Sequence, residues 1–273
     1  MHAHPSPSFP STPQQLLREH DRQVRGSIRR RLPDGWTAFP AEHVLRIRTA
    51  RRGFAFTDGL HDLDPQQVEQ VVAETVAFFA DHGDGFEWKT YSHDHPQLVP
   101  ALRRHGLAPE PTETVLIGPI DRFTGSAGPL AGVTLRQVRH RADLDRIAAL
   151  ETEVWDADWS WLADDLHDRM RSSPDDIAIW VAEAGRRVVS TAWIVRLPGT
   201  GFAGLWGGST LQEWRHRGIY RSLVAARARH AETLGVRFLW VDASDDSRPI
   251  LQRLGMTAVA TTTPWIAAPV RPE

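Results

Sequence analysis

The stretch Trp206-Gly-Gly-Ser-Thr-Leu-Gln-Glu-Trp-Arg215-His-Arg-Gly218-Ile-Tyr-Arg221-Ser-Leu-Val224 decides how this chain is read. A β-branched and apolar run ends near Leu211, a polar turn follows, and Gly218 stands where a helical pattern begins. The first N–H groups of a helix have no intrahelical partner and lie at the positive end of the peptide dipoles, so such a start binds phosphate oxygens. Gly218 lets backbone approach an anion without a Cβ in the way. Arg215, Arg217 and Arg221 add donors suited to a pyrophosphate. An ordinary glycine-containing helix start ringed by surface arginines would look the same. The P-loop pattern Gly-x4-Gly-Lys-Ser/Thr and the dinucleotide run Gly-x-Gly-x-x-Gly are both absent.

Outward from this turn, the second half alternates strands and helices. Strands are expected over 134–138, 177–182, 188–195, 203–211, 236–241 and 257–265, with a hairpin turn at Gly185. Helices are expected over 141–155, 159–170, 218–234 and 249–254, the first carried by Leu144, Ile147, Leu150 and Val154.

The first half is less regular. Residues 1–14 are rich in Pro, Ser and His and are expected to be loose. A helix is expected over 15–31, broken by Pro33-Asp34-Gly35, a short strand over 44–47, and a loop over 51–59. Asp64-Pro65 reads as an N-cap and first helical residue, opening a helix that Gly83 stops. Phe86–Tyr91 and 112–117 read as strands around a short helix, 96–105. An internal echo links the halves: Phe86-x-Trp88 with Ser92, Asp94 and Gly106-Leu107 parallels Phe238-x-Trp240 with Ser244, Asp246 and Gly255-Met256. The domain reading is therefore a loose start to residue 14, an N-terminal domain 15–120, a linker 121–132 and a second domain 133–268. Only the second carries the phosphate-type turn.

Composition narrows the function. The 273 residues carry a formal net charge of −2 with 41% hydrophobic residues, which argues against a nucleic-acid-coating protein and for a globular enzyme or binding module. With no cysteine, thiolate nucleophiles, disulfides and sulfur-ligated zinc are excluded. No apolar run reaches the roughly 18–20 residues of a spanning helix. The start has neither the basic nor the apolar region of a signal peptide, so a cytoplasmic location without membrane partners is expected. His93, His95 and His216 form no metal-ligand pattern, and no metal is expected. Eleven tryptophans stand against two tyrosines, and most are expected in cores.

The run from Arg215 to Tyr220 resembles motif A of the GCN5-related N-acetyltransferases, or GNAT family, written Arg/Gln-x-x-Gly-x-Gly/Ala. Arg215 and Gly218 match, while Tyr220 replaces the final small residue and would crowd the pyrophosphate, place an aromatic ring near the adenine or pantetheine path, or face outward. The segment from Ser247 to Met256 resembles that family's late helix and Leu-Gly-Phe turn. The resemblance covers about half the chain, with 86–117 similar to the end of a degenerate second copy. It implies a mixed α/β fold of the GNAT type, in tandem, that binds acetyl-CoA through Thr210, Leu211, Gln212, Arg215, His216, Arg217, Gly218, Ile219, Tyr220, Arg221 and Ser247. It implies direct acetyl transfer to an amine, expected to be a small molecule, by a monomer or homodimer. The family's thiolate-protonating tyrosine is replaced by Leu251. Asp242, Ser244 and Glu151 are the candidate catalytic residues; a loop-solvating role for Asp242 and a capping role for Ser247 are open alternatives. Trp155, Trp159 and Trp161 beside Glu151 and Glu153 would suit a cationic amine. The alternative function is a non-catalytic acyl-CoA-binding or regulatory module.

Overall fold

The structure, a computed structural model, describes residues 10, 12–29, 32, 35–125, 128 and 130–269. Most of the stretch expected to be loose, residues 1–14, and the expected break at Pro33-Asp34 lie outside the described residues. Two compact units are formed. The first takes the described residues up to Leu116 together with Asp242–Arg248 and Thr257 onward; the second takes Ile117–Val241 and Pro249–Met256. These limits differ from the sequence boundaries at 120 and 133 in two ways: the division falls before the expected linker, and the last strand packs with the first unit.

In the first unit, helix α1 (Pro13–His20) starts on a Thr12 capping box and runs into a π turn over Asp21–Arg25. The helix expected over 15–31 therefore starts earlier and stops sooner. Strands β1 (Thr37–Pro40), β2 (Leu45–Arg48) and β3 (Gly53–Phe56) form an antiparallel meander. The sequence reading missed β1 and took β3 for loop. In β3 the small residues Gly53 and Ala55 are the buried ones, so the usual large-apolar signature is inverted: a Cβ on Gly53 would lie 2.2 Å from the Phe79 ring.

Helix α2 (Pro65–Asp81) crosses from β3 to β4 (Phe86–Tyr91), which pairs parallel to β3. Helix α3 (Leu98–Arg104) and strands β5 (Ala108–Pro109) and β6 (Glu113–Pro119) follow. Along β4 burial alternates, as the pleat requires. Phe86 and Trp88 join Val68, Val72 and Phe79 of α2 and Leu98 and Leu102 of α3 in one core. The opposite face carries charge.

In the second unit, β7 (Thr134–Gln137) leads to α4 (Arg141–Trp155) and α5 (Leu162–Ser172), and β8 (Ile177–Ala184), β9 (Arg187–Arg196) and β10 (Phe202–Thr210) follow. β7 to β10 pair antiparallel in order. Helix α6 (Ile219–Thr233) crosses to β11 (Phe238–Ala243), which is parallel to β10, and α7 (Arg248–Arg253) precedes β12 (Thr257–Ala267). β12 itself belongs to the first unit, where it pairs antiparallel with β4.

The echo is thus a repeated backbone plan: β3–α2–β4–α3 and β10–α6–β11–α7, each an antiparallel edge feeding a helical crossover to a parallel strand. The two crossover helices differ where it matters for ligands. α2 is closed by Asp64, whose carboxylate accepts from the backbone of Gln66 and Gln67, both at 2.9 Å, while the Gln67 side chain reaches back to Asp64 N. Its terminal donors are already satisfied, and by an anion. Replacing Asp64 with alanine is expected to lower the urea midpoint by the equivalent of about 1 kcal/mol, and an unchanged midpoint would show that this cap contributes nothing.

Candidate active site

The second unit's counterpart of that helix start is open. A 3-10 turn over Gln212–Trp214 leads to Arg215, and His216 and Gly218 both take left-handed φ, 61° and 78°. Gly218 is the N-cap of α6 and supplies no side chain, so no capping bond closes the helix. Space is not what requires glycine there: a Cβ would meet only Leu130 Cδ2, at 3.8 Å. The positive φ requires it. Arg215 Nε donates to Thr210 O at 3.1 Å, Arg217 donates to Glu213 O at 2.9 Å and stacks 4.5 Å over Trp214, and both hold the turn's shape.

β10 leads into this turn. It pairs with β11 only from Phe202 to Gly204, opposite Phe238 to Trp240, so the β10 backbone from Leu205 to Thr210 is free of β11. A bulge lies between Trp206 and Ser209. Gly207 sits at its centre with φ 56°, where a Cβ would fall 1.8 Å from the Trp193 ring. At Gly208 a Cβ would fall 2.6 Å from Cε2 of Tyr220. Tyr220 therefore lies against Gly208 of β10, beside the Arg227 guanidinium, and does not face outward.

Arg227 is 1% exposed and has no ion-pair partner among the described residues. It donates to Leu223 O at 3.1 Å, Trp193 O at 3.1 Å and Trp206 O at 3.3 Å. Burial lowers its pKa to about 10, against the opposing pull of Tyr220, so it stays charged at neutral pH. Sequence reading overlooked it, although an arginine continuing the Leu223/Val224 apolar stripe was visible.

Glu151, on α4, is 2% exposed. Its Oε2 accepts from Trp155 Nε1 at 2.8 Å and from Ser209 Oγ at 2.7 Å, while Oε1 is buried without a partner. Burial raises its pKa to about 6, and the two hydrogen bonds pull only partly against it. Trp155 Nε1 also reaches Ser209 Oγ at 3.2 Å, and Ser190 Oγ donates to Ser209 O at 2.6 Å. A carboxyl poised to titrate near neutrality is thus tied to the bulged strand. Ser209 was quoted in the motif run but given no role. α4 ends at Trp155, and Asp156 turns left-handed, so Trp159 does not share its helix; it stacks on Trp161 at 5.2 Å. Leu251 is wholly buried.

Asp242, Ser244 and Ser247 group with the first unit. Asp242 Oδ2 accepts from Lys89 Nζ at 2.6 Å, and Glu113 lies 3.6 Å from the same ammonium. Burial opposes the Lys89 charge, yet Asp242, Tyr91 and Glu113 carry its pKa above the ordinary lysine range. Ser244 is exposed and Ser247 half-buried, with Ser247 Oγ donating to Ser244 O at 3.3 Å, so Ser247 bonds backward along the chain. Among the described residues no group of His, Cys, Asp and Glu is arranged to hold a metal, and no helix is long and apolar enough to cross a membrane.

Gly208→Ala is expected to destabilise the chain by about 1–3 kcal/mol through overpacking, and Tyr220→Leu in the same chain to offset part of that loss. Additive effects of the two substitutions in thermal unfolding would mean that the ring and the glycine do not share this space.

Comparison with known proteins places this geometry. Residues 142–256 match the family model described as "Acetyltransferase (GNAT) family". No match was found among curated proteins. Among solved structures, a GCN5-related N-acetyltransferase from Kribbella flavida is 18% identical, with 95% of this chain and 96% of that one covered at a TM-score of 0.66. A tandem GNAT protein from the clavulanic acid biosynthesis pathway is 12% identical, with 90% and 87% covered at 0.64. A GCN5-related N-acetyltransferase from Sphaerobacter thermophilus is 14% identical, with 85% and 82% covered at 0.60. The chain therefore has the mixed α/β fold of the GNAT acetyltransferases in tandem arrangement, with the family-matching segment beginning in α4 and ending just beyond α7.

Proposed function

We propose that the second unit is an acetyl-CoA-dependent N-acetyltransferase that transfers the acetyl group directly to the amine of a small molecule, with Glu151 as general base. The observation that carries this reading is a buried carboxyl of pKa about 6 bonded to the strand that feeds an uncapped helix start. The N–H groups at the start of α6 receive the pyrophosphate, and Arg215, His216, Arg217, Ile219, Tyr220 and Arg221 frame that turn. The β10 backbone edge left free of β11 up to Thr210, with Gln212 beyond it, offers N–H donors to the thioester carbonyl, and Leu211, whose own N–H is taken by Val189 O at 3.0 Å, anchors the end of that edge.

The amine nitrogen attacks the carbonyl carbon and its proton passes to the Glu151 carboxylate. The tetrahedral adduct then collapses, the C–S bond breaks, and the coenzyme A thiolate leaves and takes up a proton. The products are an amide and free thiol. No covalent enzyme intermediate is needed, in keeping with a chain without cysteine. The exposed indole of Trp155, with Glu153 nearby on α4, favours a cationic acceptor.

A second reading is a non-catalytic acyl-CoA-binding or regulatory module. The buried Leu251 favours it, because no tyrosine stands there to protonate the leaving thiolate. Calorimetry with acetyl-CoA followed by thiol release across an amine panel separates the two, since binding without turnover is the module's signature. Gly218→Glu is expected to abolish binding; retained affinity would move the phosphate elsewhere.

Glu151 must be ionised to accept a proton, so kcat/KM is expected to rise with pH through an apparent pKa of about 6. Glu151→Gln should remove that limb and lower kcat by roughly 10²–10⁴-fold, leaving acetyl-CoA affinity within a few-fold. An unchanged pH profile would take Glu151 off the proton path.

A further inference from the structure

Among the described residues three large apolar side chains are exposed, and two of them, Trp155 at 56% and Trp206 at 46%, belong to the neighbourhood of Ser209. The third, Leu234, lies at the far end of α6. The β10 bulge brings the two indoles to one face. On a regular strand, side chains three residues apart point to opposite faces. Here Trp206 stands opposite Trp193 and Ser209 opposite Thr191, which are two residues apart on β9, so the extra residue turns Trp206 and Ser209 the same way. That face looks toward α4, because Ser209 Oγ donates to Glu151 Oε2 at 2.7 Å and accepts from Trp155 Nε1 at 3.2 Å.

Between Trp206 and Ser209 the strand carries only Gly207 and Gly208. The Trp193 ring occupies the side-chain space of Gly207, and a Cβ on Gly204 would fall 2.6 Å from Trp206 Nε1 and 2.7 Å from Trp240 Cη2. The result is a strip of strand without side chains of its own, bordered by indoles and ending at Glu151. Its polar side chains are already engaged: Ser209 with Glu151 and Trp155, and Thr191 Oγ1 with Trp180 O at 3.3 Å. Glu153, the next carboxylate on α4, is held by Arg187 at 2.8 Å. The strip thus offers rings rather than free hydrogen-bonding groups or a second carboxylate, which suits a flat apolar group and suits neither a sugar nor a second ammonium.

We propose that the acceptor is a primary amine joined by a short alkyl link to an aromatic ring, the ring lying against Trp206 and Trp155 and the nitrogen at Glu151. The inference rests on the acetyl-transfer reading above and narrows its acceptor. Aromatic rings attract one another in offset or edge-on contact beyond the apolar area they cover. Trp155 has two tasks, since its Nε1 donates to Glu151 Oε2 at 2.8 Å while its ring stays exposed. Trp206 meets Arg227 only through its carbonyl oxygen, so its ring is the specificity-determining group that stands clear of the proton path.

The test follows thiol release by the full chain at saturating acetyl-CoA with ethylamine, 2-phenylethylamine, 2-cyclohexylethylamine, putrescine and glucosamine. For 2-phenylethylamine, kcat/KM is expected to exceed that for ethylamine by about tenfold or more, and that for 2-cyclohexylethylamine by about two- to tenfold, with the gain in KM. Trp206→Ala should lower the first ratio several-fold and bring the second near one, and Trp206→Phe should restore most of both. Leu234→Ala should leave both ratios intact. Wild-type ratios near one, a higher kcat/KM for putrescine or glucosamine, or a Trp206→Ala variant that weakens every amine equally would overturn the ring site while leaving acetyl transfer standing. Thiol release with none of the amines would overturn the acetyl-transfer reading and this inference with it.

Discussion

A guanidinium buried without a counter-ion is the constraint around which the second unit is arranged. Burying an unpaired charge is costly unless its donors are met, and Arg227 offsets part of that cost by donating Nε and Nη1 to main-chain carbonyls of α6, β9 and β10. Those bonds join three elements that the chain visits at well-separated positions. They hold Trp206 O where β10 bulges, and the bulge turns Ser209 toward Glu151. Gly207 and Gly208 are the local price of that arrangement, the first because the Trp193 ring occupies its side-chain space and the second because Tyr220 does. Tyr220 in turn lies beside Arg227. A residue that looked like a flaw in a phosphate motif is thus part of the packing that shapes the strand before it.

The fold was legible wherever local chemistry and tertiary environment agree. The Asp64-Pro65 start, the Gly185 hairpin and the helix after Gly218 all combine a stop or start residue with strong periodicity, and each stands where the sequence places it. β1 and β3 were illegible because β3 buries glycine and alanine under Phe79, and no reading of hydrophobicity reveals a strand whose inner face is small by necessity. The spatial home of β12 was equally hidden, since nothing in its β-branched run says which strand it will pair.

The candidate site divides along the same line. The uncapped turn before α6 is local and could be read from Arg215 and Gly218. Glu151 could be nominated from its place at a helix end, but its protonation behaviour comes from burial and from Ser209, a residue on a strand far along the chain. Asp242 looked equivalent to it in sequence. Its partner Lys89 stands on a strand in the other half of the chain, and only the folded structure discloses that ion pair.

The contrast between α2 and α6 extends to motion. A helix whose first turn is closed by its own carboxylate has settled its electrostatics before any ligand arrives, so its amide protons are protected in the free protein. A helix whose first turn begins on a bare glycine has no side-chain acceptor for those donors, and they exchange more readily until an anion takes them. The two halves of the repeat thus differ in whether a helix start is capped by the chain or left uncapped, and hydrogen exchange at Ile219 to Arg221 would register any anion that closes it.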